Sequence, residues 1–204
     1  MIFAQVWQRT KGFLLDYLII SAYIVLLVGI SVGLGLGPLR RVIQVMFADP
    51  NISEFSAFLL LVAPVILYFA LFESSSRQAT WGKRKMGLYV TDSHGARLGF
   101  MRSLGRSLLK FMPWELTHAC LWRIPGWPFA LATPSPIIMA GLVLVWILVA
   151  AYLASIFINK KHQSLYDWIA GTYVIVGQPG YRQAPKKPGG KIHNELNPSI
   201  RSTG

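Results

Sequence analysis

The stretch FMRSLGRSLLKFMPWELTHACLW, Phe100–Trp122, decides how the rest of the chain is threaded. Arg102, Arg106 and Lys110 recur at every fourth residue, so on a helix they form one stripe, with Met101, Leu104, Leu108 and Leu109 on the other face. Such a helix either crosses a bilayer with its stripe turned to protein or snorkelling to the headgroups, or it lies flat in the interface. What surrounds it has to choose.

The surroundings are those of a membrane protein. Of 204 residues, 53% are hydrophobic and 14% charged, and the mean hydropathy is +0.46. The apolar residues gather into three runs long enough to span a bilayer: residues 13–37, 55–72 and 136–158. The first contains Asp16 as its only charge, the second carries Pro64, and the third has no charge. Arg9 and Lys11 ahead of an apolar run could mark a signal peptide, but the run is too long and lacks a small-x-small cleavage site, so it is expected to be retained.

The formal charge of +12 lies beside the apolar runs, which fits the positive-inside bias and an anionic leaflet better than nucleic acid. Arg77, Lys83, Arg84, Lys85, Arg97, Arg102, Arg106 and Lys110 face only Glu73 and Asp92 between the second run and Phe111. The N-terminus, this segment and the basic tail are therefore expected on the cytoplasmic side. Three crossings would put the tail outside, and a crossing by Phe100–Trp122 restores agreement. The expected fold is an all-α membrane protein, a four-helix transmembrane bundle whose striped helix crosses or, as the alternative, is interfacial.

Smaller features fill in the plan. Gly29, Gly33 and Gly37 repeat Gly-x-x-x-Gly and offer a helix-packing seam, with Ala140, Ala150, Ala151, Ala154 and Ser155 as a partner face. Trp7, Trp114, Trp122, Trp127 and Trp168 near the run ends fit an aromatic belt. Residues 87–91 read as a strand, 92–95 as a turn and 97–100 as its return, with 171–176 as a third strand in a small cytoplasmic sheet. Residues 1–177 form the expected transmembrane domain and 178–204 a basic, disordered tail.

The chemistry-bearing candidates are few. His94, His118, His162 and His193 occur singly, Cys120 is alone, and no nucleophile elbow or phosphate-binding loop is present, so neither an enzyme nor a metal or cofactor protein is expected. Glu115 and His118 read as an interfacial pair, and Ser74, Ser75 and Ser76 as a cap after Glu73. Arg9, Asp16 and Asp167 remain. Arg9 and Asp16 lie two helical turns apart on one face, and Asp16 sits about one turn inside the apolar run, so it should face the bundle, water or a cation. Its mate is Arg9 or a residue of another helix. Asp167, on a short helix ending near Gly171, should lie level with Arg9 and could pair with it. Two acids and a guanidinium can form an ion or proton site, or can clamp helix ends together.

These residues resemble the RDD family of bacterial membrane proteins, which takes its name from one Arg and two Asp. Residues 9–16 look like the family's opening helix, with Gly12 where Ala is usual. Residues 78–88 are similar to its central Thr-Pro-Gly-Lys block, with Trp81 in place of the proline, and Tyr166 stands where His often precedes the second Asp. The resemblance implies a multi-pass inner-membrane protein of transport type, with cation/proton exchange proposed for some members. The other reading is a non-catalytic assembly, lipid-contact or partner-anchoring module. Lys83, Arg84, Lys85, Arg102 and Arg106 are expected at anionic lipid headgroups. A pathway through so small a bundle would call for a homo-oligomer or a membrane partner.

Overall fold

In the computed structural model, residues 1–37, 40–127 and 132–177 are described. Helix α1 spans Val6–Gly35, α2 Arg40–Ala48 and α3 Pro50–Ala57; a π-helical turn, Phe58–Val62, joins α3 to α4, Ala63–Ser74. Then follow α5 Trp81–Lys85, β1 Leu88–Asp92, α6 Phe100–Trp122, α7 Pro136–Ile158, α8 Leu165–Ile169 and β2 Thr172–Val176. Among the described residues, three helices are long and apolar enough to cross a membrane: Val6–Gly35, Pro50–Ser74 and Pro136–Ile158. Their outer faces are bare hydrocarbon, as Val25, Leu26, Leu71, Trp146, Ile147 and Phe157 illustrate, which is the surface that lipid would cover.

Helix α6 lies lengthwise against the second of these helices. Arg106 pairs with Glu73 near one end, Phe69 and Phe111 stack in the middle at 5.1 Å, and Arg123 meets Glu54 at 2.5 Å at the other end. Its far half touches α7 so closely that a Cβ on Gly141 would stand 2.6 Å from the Cys120 sulfur. The helix packs along the bundle because its stripe finds acids and aromatic rings there.

Two prolines sit inside these central helices, and each is treated alike. A proline frees the carbonyl four residues earlier. Leu60, four before Pro64, receives the Tyr23 hydroxyl at 2.5 Å, and Leu109, four before Pro113, receives that of Tyr152 at 2.7 Å. Neighbouring helices thus supply what the backbone lost.

At the end where α1 and α6 begin and α4 and α7 finish, β1 and β2 pair antiparallel, with Val90 opposite Val174 and Asp92 opposite Thr172. The expected return strand at residues 97–100 is not formed. Asp92 Oδ1 accepts the amides of His94 and Ala96 at 2.8 Å, as the expected turn requires, but the chain then runs into α6 at Phe100. The third position in the sheet goes to the N-terminus: Phe3 bridges Ile175, and Val176 N–H donates to Ile2 O at 2.9 Å. Ala4, Leu88, Val90, Leu98 and Val174 form the core beneath.

Among the described residues, the glycine seam packs no helix of the same chain. A Cβ on Gly29 or Gly33 would meet nothing within 4 Å, and Gly37 lies beyond the end of α1. Among the long helices, a small residue that does admit a neighbour is Gly141. The tail at 178–204 lies outside the described residues.

Candidate functional site: a buried ion network at one end of the bundle

Asp16 and Asp167 are both fully buried, yet they belong to different knots. Asp16 Oδ1 accepts the Tyr68 hydroxyl at 2.9 Å and the Gly82 amide at 2.8 Å; Oδ2 accepts the Thr80 hydroxyl at 2.5 Å. The Tyr68 oxygen in turn accepts the Trp81 amide at 3.2 Å. This carboxylate therefore fastens α1 to the first residues of α5. The approach is so close that a Cβ on Gly82 would lie 2.1 Å from Gly12 O and 2.9 Å from Asp16 Cγ. Only glycine fits there. Of the two mates expected for Asp16, Arg9 is not one, and residues of other helices are; they are neutral donors.

Arg9 instead joins Asp167. Its guanidinium reaches Asp167 Oδ2 and the carbonyl of His162, a residue held at φ 50°. Asp167 Oδ1 is gripped from the other side by Arg106, through Nε at 2.8 Å and Nη2 at 2.6 Å, and its Oδ2 accepts the Ser164 amide at 3.3 Å. Arg106 continues to Glu73 through Nη1 and to the Thr172 hydroxyl through Nε at 3.1 Å. Glu73 also accepts Lys83 Nζ at 2.7 Å. A chain of ion pairs thus runs Arg9–Asp167–Arg106–Glu73–Lys83 across α1, α8, α6, α4 and α5.

This corrects the lipid-headgroup expectation for Arg106 and Lys83, and gives the exposed Arg102 a second duty within the fold. Arg106 is 1% exposed and Lys83 is spent on Glu73. Arg102 donates to the carbonyls of Ala170 and Gly171 at 2.8 Å each, closing the C-terminal end of α8 where Gly171 turns at φ +62°. Lys85 is exposed and covers the Trp81 ring at 5.7 Å, and Arg84 is half-buried. Sequence reasoning had counted Glu73 only as a charge and had not seen it as a site residue. Its signal was its place, the first acid after an uncharged run, ten residues before the Lys83-Arg84-Lys85 run that folds back on it.

Burial pushes the Asp167 carboxyl up, but Arg106 and Arg9 outweigh it and hold the group well below the ordinary carboxylate range. Its neighbour Tyr166, buried and facing that carboxylate, has its phenol pushed up. Tyr166 also lies under the Arg106 guanidinium at 5.3 Å and edge-on to Tyr152 at 5.4 Å. The position where the family often has His is filled here by a neutral ring that packs the arginine.

The model of the RDD family matches residues 3–171. The chain belongs to the RDD family. The matched span includes Arg9, Asp16 and Asp167 and the α5 block that Asp16 holds. No curated protein and no solved structure matches. The departures of this RDD chain from the family pattern are readable in space. A Cβ on Gly12 would meet Lys83 Cα at 3.6 Å and Leu88 Cδ1 at 3.7 Å, ordinary contacts that explain why alanine serves there as well. Trp81 opens α5 where a proline would, since the first turn of a helix tolerates either. Among the described residues no group of three or more His, Cys, Asp or Glu could hold a metal ion.

Proposed function

We propose that this RDD protein is an inner-membrane transporter that exchanges a small cation for a proton at the buried network. Helix α6 acts as the fourth crossing, and both termini face the cytoplasm. The observation that carries the reading is the gathering of three fully buried carboxylates, Asp16, Glu73 and Asp167, at one end of an otherwise apolar bundle. Ionisable groups at such depth are costly to keep and mark ion or proton pathways by default. The basic residues at the sheet end, among them Arg77, Arg84, Lys85, Arg97, Lys160 and Lys161, set that end inside by the positive-inside bias.

The chemistry follows from how firmly each acid is held. Asp167 is clamped by two guanidiniums and acts as a fixed counter-charge. Glu73 is shared between Arg106 and Lys83, and the Lys83 side chain is the more accessible of the two, at 12% exposure against 1%. A cation arriving from the sheet side competes with Lys83 for Glu73 Oε1, while Asp16, Thr80 and Tyr68 offer oxygens a short step away. Arg84, Lys85 and the exposed Arg102 remain for anionic headgroups. Proteoliposomes loaded with sodium or potassium ions test the reading: Glu73→Gln and Asp16→Asn should each abolish cation-driven proton movement, and undiminished flux in both removes the site.

One observation favours the second reading, a non-catalytic anchoring module. Every carboxylate oxygen of Asp16 and Asp167 already holds a donor, so the family residues double as bolts between helices. Absence of flux under any gradient, with loss of the folded state in an Arg9/Asp16/Asp167 triple variant, would favour it.

A further inference from the structure

Each charged group of the network holds a direct partner of opposite charge or a hydrogen-bond donor, with one exception. Lys110, one turn along α6 from Arg106, points its ammonium into three phenylalanine rings: Phe69 at 3.5 Å, Phe13 at 4.9 Å and Phe111 at 5.1 Å. Those rings come from α4, α1 and α6. Around the cage stand Lys83 on α5, Glu73 on α4, Arg106 on α6 and Asp16 on α1, all within electrostatic reach. On the α7 and α8 side the titratable groups are engaged elsewhere, Tyr152 on Leu109 O and Asp167 on its two arginines. Lys110 thus lies between the Asp16 knot and the Glu73 chain, its charge felt by both and tied to neither.

The charges do not balance. Arg9, Lys83, Arg106 and Lys110 face Asp16, Glu73 and Asp167, four cations against three carboxylates. The surplus falls on the one group whose loss of charge breaks no ion pair. Protonating Asp16 would set a new hydrogen on an oxygen that already accepts a donor, protonating Asp167 would remove the charge that pairs with two guanidiniums, and an arginine keeps its proton throughout.

We propose that Lys110 is the proton-exchanging group of the site, releasing its proton to water when a monovalent cation binds beside Asp16 and Glu73 and regaining it when the cation leaves. This rests on the exchange reading proposed above. Charge is conserved at each end of the cycle. With the cation absent, four protein cations meet three carboxylates. With it bound, three protein cations and the cation meet the same three carboxylates, and Lys110 is a neutral amine within its cage. One cation therefore replaces one proton, and the exchange is electroneutral. The aromatic cage suits both states, since the ring faces attract the ammonium and the same hydrocarbon accepts the amine.

The test uses the full chain as wild type, Lys110→Met and Lys110→Arg. In detergent with saturating sodium ions present, unfolding midpoints are followed from pH 6 to pH 10. An unfolded lysine keeps its proton up to about pH 10.4, so a folded chain that has released it gains stability as pH rises. Wild type should gain on both variants across that range; midpoints that stay parallel overturn the assignment. Lys110→Arg preserves the charge and keeps the comparison if Lys110→Met does not fold. In proteoliposomes an imposed sodium gradient should drive protons in wild type, at a rate indifferent to a clamped membrane potential, and fail to do so in Lys110→Arg. Coupled flux retained in Lys110→Arg, or a potential-dependent rate in wild type, overturns the one-for-one exchange. If wild type moves no protons the exchange reading fails, and the midpoints still decide whether Lys110 titrates.

Discussion

The hydroxyl of Tyr152 donates to the carbonyl oxygen of Leu109 at 2.7 Å, the oxygen left without its helical partner by Pro113. Tyr23 does the same for Leu60 ahead of Pro64. Both prolines lie in the two helices that form the middle of the bundle, and both tyrosines come from the outer helices α1 and α7. The bundle is tied across its depth by hydroxyls placed where the backbone ladder is open, so the carbonyl that each proline frees keeps a donor.

Removing either hydroxyl should therefore cost more than a surface change. Tyr152→Phe and Tyr23→Phe are each expected to destabilise by about 0.6–1.7 kcal/mol, the range for interhelical hydrogen bonds in membranes. A double-mutant cycle checks the cause: Tyr152→Phe should cost distinctly less in a Pro113→Ala background, where Leu109 O regains an amide donor.

Gly82 and Gly12 face each other across the Asp16 knot but should respond in opposite ways. Gly82→Ala drives a Cβ to 2.1 Å from Gly12 O and should abolish folding or displace α5 from Asp16. Gly12→Ala meets only ordinary contacts and should raise the unfolding midpoint, by about 0.5–1 kcal/mol from the helix interior. Thermal unfolding of the two variants in detergent decides between them.

Breaking the ion chain at one link strands its neighbour. Arg106→Met leaves Glu73 without a guanidinium and Asp167 with only Arg9, and should destabilise by about 3–5 kcal/mol. Arg9→Lys keeps the charge but cannot reach both Asp167 and the His162 carbonyl with a planar fork, so it should fall between wild type and Arg9→Met. Chemical-denaturation midpoints give the order.

Asp167 sets the acid limit. Its folded value lies below the ordinary carboxylate range, so its contribution is fully present above about pH 4, where the unfolded group is ionised, and drains away as pH falls from there through the folded value. Stability of wild type should decline steeply on acidification below about pH 4. Asp167→Asn should start lower and lose less over the same range, as unfolding midpoints between pH 6 and pH 2 would record.

What could be read from the chain in advance was whatever a bilayer or a short-range pattern dictates. The three apolar runs had to be helices, and the stripe of Arg102, Arg106 and Lys110 had to be one face. The turn at residues 92–95 and the end of α8 at Gly171 were written in their own side chains. Pairing across distance was not. The return strand at residues 97–100 was attractive for being nearby, whereas β1 takes its partner more than eighty residues on, where Val174 can cover Val90 and Ala4. The Gly29/Gly33 pattern showed that a helix could approach, not which one; among the long helices a close approach fell to Gly141. Arg106 looked like a headgroup ligand because its acids, Glu73 and Asp167, come from two separate segments, and only the folded bundle brings them to it.

The central claim is most directly tested in vesicles holding the purified wild-type protein, acidified inside and loaded with a pH-sensitive dye. Adding sodium or potassium ions outside should discharge the acid interior at once, and Glu73→Gln vesicles should hold it. A pH gradient that stays intact in wild-type vesicles under either ion would contradict the account.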